Sequence, residues 1–198
     1  DIIFIGGYLI EIIQREYPQF TFRHNDAWEK NNILQSLFYA AEDMDEGFIC
    51  SYADILYTSD TVEKLLAAPG DIVVAIDTDW KNRYRHRGKH PETDAEKVLG
   101  GEGIVTKFHR DIPEAEAFGE FIGMVKFSPL GARIFKQEYE QLNPSFLFDG
   151  KISLDRAYLI HFLNHLVQKG IKIENITTHG NYIEVDTLED HAYANEHW

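Results

Sequence analysis

Short β-branched and aromatic runs alternate with stretches whose apolar residues recur at helical spacing, and this pattern extends through the sequence. Ile2 to Ile5, Thr21 to Arg23, Phe48 to Cys50, Ile72 to Ile76, Phe121 to Phe127, Ile171 to Ile176 and Tyr182 to Val185 read as strands. Between them, Tyr8, Leu9, Ile12 and Ile13, then Ile33, Leu34, Leu37, Phe38 and Ala41, then Val62, Leu65 and Leu66 are spaced as single helix faces. The strongest such face is Leu154, Tyr158, Leu159, Phe162, Leu163, Leu166 and Val167, stopped at Gly170, and a last helix starts after Thr187. This order predicts one α/β domain over 1–198, with a mostly parallel mixed sheet. Parallel strands need crossover connections, and those crossovers cover both faces of the sheet. The polar stretch 81–107 breaks the alternation and is expected to be an irregular excursion.

Asp and Glu number 33 against 19 Lys and Arg, a formal net charge of −14, which argues against a nucleic-acid coat or a binder of anionic membranes. The single cysteine, Cys50, excludes an intramolecular disulfide framework and any multi-thiolate zinc site. His161 and His165 stand i, i+4 on the strongest helix without a third ligand nearby in sequence, so a surface or packing role is expected for them. No apolar stretch approaches the roughly 18 residues of a membrane span. The first residues lack the basic-then-apolar order of a secretory signal, so a cytoplasmic location is the expectation.

The chemistry-bearing candidates are carboxylates. In α/β sheets ligands bind beyond the carboxyl ends of the strands. Asp54 follows the run Phe48 to Ala53 at such a place, and Glu184 and Asp186 flank Val185 near the end of another strand. Spacing of two sets that pair on one face, roughly 7 Å apart. Three hard oxygen ligands with room for waters suit Mg²⁺. Structural readings stay open beside this one. Asp54 could cap a helix or form a turn, and Asp186 could cap the last helix. Glu184, between two β-branched residues on a strand, has the weakest structural reason to be there.

Four segments carry a resemblance: Asp1 to Tyr8, Asn31 to Leu37, Ser51 to Asp54, and Tyr182 to Asp190. In order and spacing they are similar to the successive motifs of the nucleotidyltransferases that use an NTP to activate a phosphate or phosphonate. The nearest likeness is to bacterial phosphocholine cytidylyltransferases and 2-aminoethylphosphonate cytidylyltransferases. The resemblance implies a three-layer α/β/α sandwich of Rossmann-like type, with Asp54, Glu184 and Asp186 as ligands of catalytic Mg²⁺. It also places Asn31, Asn32 and Ser36 near the nucleotide, although helix capping and packing would explain them equally well.

One departure is specific. Members of the family begin with a strand and a Gly-rich loop whose backbone amides, with basic side chains, hold the triphosphate. This sequence opens at Asp1, directly into Ile2-Ile3-Phe4-Ile5, with no such segment. The chain is therefore expected either to lack an upstream portion or to bind nucleotide differently. Absence of a central strand should leave ladder groups unpaired, at about 1–3 kcal/mol for each one buried.

On the acceptor side, Lys81, Arg83, Arg85, Arg87 and Lys89 alternate through an otherwise acidic chain. If extended, they would line one side and could receive a phosphate or phosphonate; a solvated loop is the alternative. Trp80 follows Asp77-Thr78-Asp79, an indole beside carboxylates that could hold an ammonium group or simply pack. Glu120 sits where members of the family approach the acceptor. The expected activity is Mg²⁺-dependent nucleotidyl transfer, from CTP, to a small acceptor such as phosphocholine or 2-aminoethylphosphonate, with pyrophosphate released. Two alternatives stand beside it: a sugar-1-phosphate nucleotidylyltransferase using UTP or dTTP, and a non-catalytic remnant that binds a ligand or partner.

Overall fold

The computed structural model describes residues 1–198 apart from His86 and His90. The chain opens with β1 (Ile3–Gly6), α1 (Ile10–Glu16), β2 (Thr21–His24) and α2 (Ile33–Leu37), which runs on into a 3-10 stretch, Phe38–Asp43. Next come β3 (Phe48–Ser51), β4 (Ile55–Tyr57), α3 (Ser59–Ala67), β5 (Ile72–Asp77), α4 (Trp80–Tyr84), β6 (Lys97–Gly101), β7 (Ile104–Phe108) and β8 (Gly119–Phe127). The last part holds α5 (Pro129–Glu140), the short β9 (Leu147–Phe148) and β10 (Ile152–Ser153), α6 (Leu159–Gln168), β11 (Glu174–Thr178), β12 (Tyr182–Glu184) and α7 (Leu188–His197).

The main sheet is mixed and has the order β11-β5-β8-β6-β7, with β3 also paired to β8. Strand β8 is its spine. One edge pairs with β5, while the other is shared: β6 takes Gly119 and Glu120, and β3 takes Met124 to Phe127. Strands β3, β5 and β6 are antiparallel to β8, and β11 is parallel to β5, so β3, β5, β6 and β11 point one way and β7 and β8 the other. The α/β class and mixed sheet agree with the sequence, but the expected mostly parallel pairing does not hold: among the described pairs of the main sheet β11–β5 is parallel while β3–β8, β5–β8, β6–β8 and β6–β7 are antiparallel. The stretch 81–107 does not remain irregular, since it supplies the end of α4 and the β6–β7 hairpin. A hairpin reverses the chain without a crossover helix, which is why β8 arrives antiparallel to its neighbours.

Alternation along β5 builds two layers of core. Ile72, Val74 and Ile76 face Leu34 of α2, Phe135 of α5 and Phe162, Leu163 and Leu166 of α6, whereas Val73 and Ala75 face Leu65 of α3 with Ile122, Met124 and Tyr182. Phe135 and Phe162 are fully buried, each contributing about 2–3 kcal/mol relative to exposure. Gly170, at φ 81°, ends α6 where the sequence placed its stop. Helix α5 was absent from the periodicity reading. Its start is nonetheless a capping signature, with Pro129 in the first turn and the Ser128 hydroxyl accepting N–H bonds from Leu130 and Gly131 at 3.2 and 3.0 Å.

Strands β1 and β2 form a separate parallel pair. Across a groove of about 890 Å³, β1 faces β3 without pairing to it; among the described residues β1 is laddered only to β2 and β3 only to β8. No helix among the described residues is long and apolar enough to cross a membrane.

Candidate active site

The antiparallel pair β4–β12 creates the site. Asp54 lies just before β4, Glu184 pairs opposite Ile55, and the Val185 N–H donates to the Asp54 carbonyl at 2.8 Å. That short ladder brings Asp54 beside Glu184 and Asp186, as the resemblance implied. All three line a cavity of about 290 Å³, together with Tyr52, Glu96, Arg110, Glu120 and Tyr158. The cavity opens where the shared edge of β8 passes from β6 to β3. There the Phe121 N–H donates to the Glu96 carbonyl at 2.9 Å, and the Tyr52 N–H to the Gly123 carbonyl at 3.0 Å. Gly123 has φ 80°, and a Cβ on it would meet the Tyr52 ring at 2.4 Å, so this change of partner requires glycine. The location, past the carboxyl end of β3, fits the rule for ligand sites in such sheets.

The carboxylates differ in how they are compensated. Burial raises the Asp54 carboxyl above its ordinary range, and Glu184 and Asp186 push it further; among the described residues Asp54 makes no ion pair. Glu184 accepts from Arg87 Nη1 at 3.1 Å and from Arg83 Nη1 at 3.4 Å, and Asp186 accepts from Arg87 Nη2 at 2.9 Å. Arg87 Nε donates to Asp190 at 2.8 Å, and Thr187 donates to Asp190 through its N–H at 2.9 Å and its hydroxyl at 2.8 Å. Burial would raise the Asp190 carboxyl, but these donors outweigh it and hold it at about 2. Glu120 is buried against the Arg83 guanidinium and accepts from the Tyr84 hydroxyl at 2.7 Å; burial raises its carboxyl while Arg83 opposes the shift.

Glu96, Arg110 and Tyr52 were missed by the sequence reading. Burial pushes the Glu96 carboxyl up to about 7, although Arg110 Nη2 and the Tyr52 hydroxyl each donate to it at 3.2 Å. The Arg110 guanidinium also lies over the Tyr158 ring, 4.3 Å from its centre. No local pattern marks Glu96. It is one acidic residue among many, and only the start of β6 carries it into the cavity.

The basic run is not an extended stripe. Trp80 to Tyr84 is helical, and the turn continues with the Arg87 N–H donating to the Tyr84 carbonyl at 3.1 Å. Arg83 and Arg87 therefore project together onto the carboxylates, with side chains 8% and 5% exposed, whereas Lys81, Arg85 and Lys89 are exposed. The expected five-charge acceptor surface is thus divided, and Arg85 lies outside the site. Trp80 is 2% exposed and packs edge-on against Tyr84, with Lys81 Nζ 5.5 Å from its ring centre. Packing, the alternative reading, accounts for it. Asn31 exchanges amide bonds with Asn25 at 2.8 and 2.9 Å, and Asn32 caps α2 by accepting from Ile33 at 2.8 Å. Both have structural work, and Ser36 lines the larger groove between β1 and β3.

Asp54, Glu184 and Asp186 have the donor chemistry for a hard cation, but two of them are committed to Arg87. Among the described residues no three His, Cys, Asp or Glu side chains stand as a group able to hold a metal ion. In this arrangement the expected triad does not fit Mg²⁺, because a guanidinium takes the position of the cation.

Comparison with known proteins bears on the identity of the site. No protein-family profile matches the chain. CTP:phosphoglutamine cytidylyltransferase of Campylobacter jejuni is 28% identical over 203 residues, covering 96% of this chain and 79% of that protein. The inositol-1-phosphate CTP transferase from T. maritima superposes with a TM-score of 0.69 at 15% identity, covering 93% of this chain and 69% of that one. CTP:phosphocholine cytidylyltransferase from Streptococcus pneumoniae superposes with a TM-score of 0.62 at 16% identity, covering 99% and 77%. At those identities the two structures speak for the fold alone, while the sequence relative spans nearly the whole chain. The chain is similar in sequence to a cytidylyltransferase and shares the fold of CTP transferases.

Proposed function

We propose that the chain transfers a cytidylyl group from CTP to a small phosphorylated acceptor. The observation that carries this reading is the meeting of Asp54, Glu184 and Asp186 in one cavity at the carboxyl end of β3, within a chain whose sequence relative is a cytidylyltransferase. An anionic oxygen of the acceptor attacks the α-phosphorus of CTP, the bond to the bridging oxygen of the β-phosphate breaks, and pyrophosphate leaves with that electron pair. The acceptor is already anionic at neutral pH, so no protein nucleophile or general base is needed. The work of the protein is positioning and charge compensation.

Arg110, on the cavity wall, is the group suited to the acceptor phosphate. The burial of Trp80 removes the indole face that the sequence offered to an ammonium group.

The test is a matrix of CTP, UTP, dTTP and GTP against phosphoglutamine, 2-aminoethylphosphonate, phosphocholine and glucose-1-phosphate, followed by pyrophosphate release. Release with CTP and an amino- or amide-bearing acceptor is expected. Release with only UTP or dTTP and glucose-1-phosphate would establish the sugar-nucleotide alternative. Silence across the matrix would favour the non-catalytic one.

A further inference from the structure

Arg110 carries donors that the protein leaves open. Among the described residues lining the cavity it is the one Lys or Arg, and every other charged residue there is a carboxylate. Its guanidinium donates to Glu96 through Nη2, while Nε is buried with no hydrogen-bond partner and Nη1 donates to no described residue. Such a group is incomplete until an acceptor arrives, because a buried donor without a partner is unfavourable. Its place is nonetheless fixed. The Tyr158 ring centre lies 4.3 Å from the guanidinium, and the His109 N–H donates to the Lys97 carbonyl at 2.9 Å, which ties the neighbouring backbone to the start of β6. Glu96 closes the arrangement with a side chain 10% exposed: one oxygen receives Arg110 and the other the Tyr52 hydroxyl, each at 3.2 Å. Tyr52 in turn stands edge-on to Phe121 of β8, with ring centres 6.0 Å apart. Tyr52, Glu96 and Arg110 thus form one chain from β8 to the cavity wall.

We propose that Glu96 is a positioning residue for acceptor recognition: it holds the Arg110 guanidinium so that the open N–H groups receive the acceptor phosphate, and Tyr52 serves the same binding through Glu96. The inference rests on the transfer reaction proposed above, but its test needs neither CTP nor turnover. An arginine side chain has many rotamers, and one that is already ordered loses less freedom when the phosphate arrives. The role of Glu96 is geometric, since its negative charge by itself would repel a phosphate. A carboxyl, a carboxylate and an amide oxygen can all accept from Arg110, whereas alanine cannot. Glu96→Gln and Glu96→Ala both remove the charge, so the difference between them isolates orientation.

The experiment titrates the full chain with inorganic phosphate and follows the Arg110 Nε–H signal by nuclear magnetic resonance, the signal being identified by its loss in Arg110→Lys. Immobilising one long side chain on binding weakens affinity by about two- to tenfold. Glu96→Ala is therefore expected to bind phosphate about two- to tenfold more weakly than Glu96→Gln. Equal or tighter binding by a folded Glu96→Ala protein overturns the proposal, as does a wild-type Arg110 signal that phosphate leaves unmoved. Tyr52→Phe covers an alanine variant that fails to fold, since it deletes a single oxygen. It should weaken binding at least about twofold in the wild type and have no further effect in Glu96→Ala. Unchanged affinity in the first background, or an equal loss in both, overturns the relay. Glu96-dependent phosphate binding without pyrophosphate release would sink the proposed activity and leave the positioning role standing. Release from CTP with an affinity indifferent to Glu96 would do the reverse.

Discussion

The Val185 N–H donates to the Asp54 carbonyl at 2.8 Å, and that one backbone bond joins the two acidic segments of the site. It belongs to the short β4–β12 ladder, so the geometry of the carboxylates depends on a three-residue strand pair rather than on the main sheet. The placement also separates chemistry from stability, because the Asp54 side chain makes no ion pair among the described residues.

Asp54→Asn is therefore expected to lower pyrophosphate release at least about 100-fold while leaving the melting temperature nearly unchanged. Turnover within a few-fold of wild type would remove Asp54 from the working site. A large fall in melting temperature would instead show that it supports the fold.

Arg83 and Arg85 are two residues apart and should behave oppositely. Arg83 compensates the buried Glu120, and removing one partner of a buried pair costs about 3–5 kcal/mol, so Arg83→Ala should unfold at markedly lower urea. Arg85 is exposed, and Arg85→Ala should leave both the urea midpoint and KM as they are. Equal effects would contradict the helical placement of this segment.

Glu96 predicts a pH signature. Its carboxyl lies at about 7 in the folded protein against an ordinary 4.5, raised chiefly by burial. Between these values the folded state holds a proton that the unfolded state has released. The stabilisation is thus complete below 4.5 and is lost as pH rises through 7, an effect of about 3 kcal/mol. Relative to Glu96→Gln, the wild type should lose about 6–12 °C of melting temperature between pH 4.5 and 7.5. Parallel curves for the two proteins would refute the assignment.

Gly123→Ala should destabilise by about 2–4 kcal/mol, combining positive φ with the collision against Tyr52. Because Tyr52 donates to Glu96, the variant should also weaken activity more than an equally destabilising core change elsewhere, such as Leu65→Ala in α3. Activity per folded molecule, compared between the two variants, distinguishes these outcomes.

By itself the sequence determined the α/β class, most of the strands, α6 with its stop at Gly170, and the acidic positions Asp54, Glu184 and Asp186. Those features are local: apolar spacing reports a face, and an acid after a strand reports a sheet end. Tertiary structure alone decided which charges meet. Five basic residues read as an extended stripe become, in a helical turn, two buried arginines and three exposed side chains, because the period changes from two to 3.6 residues. Glu96 enters the cavity only because β6 and β3 share one edge of β8, and Arg87 reaches Glu184 and Asp186 only because the turn after α4 meets the first turn of α7 and the end of β12. Strand order and packing bring together residues far apart in the chain, and no local periodicity encodes that adjacency.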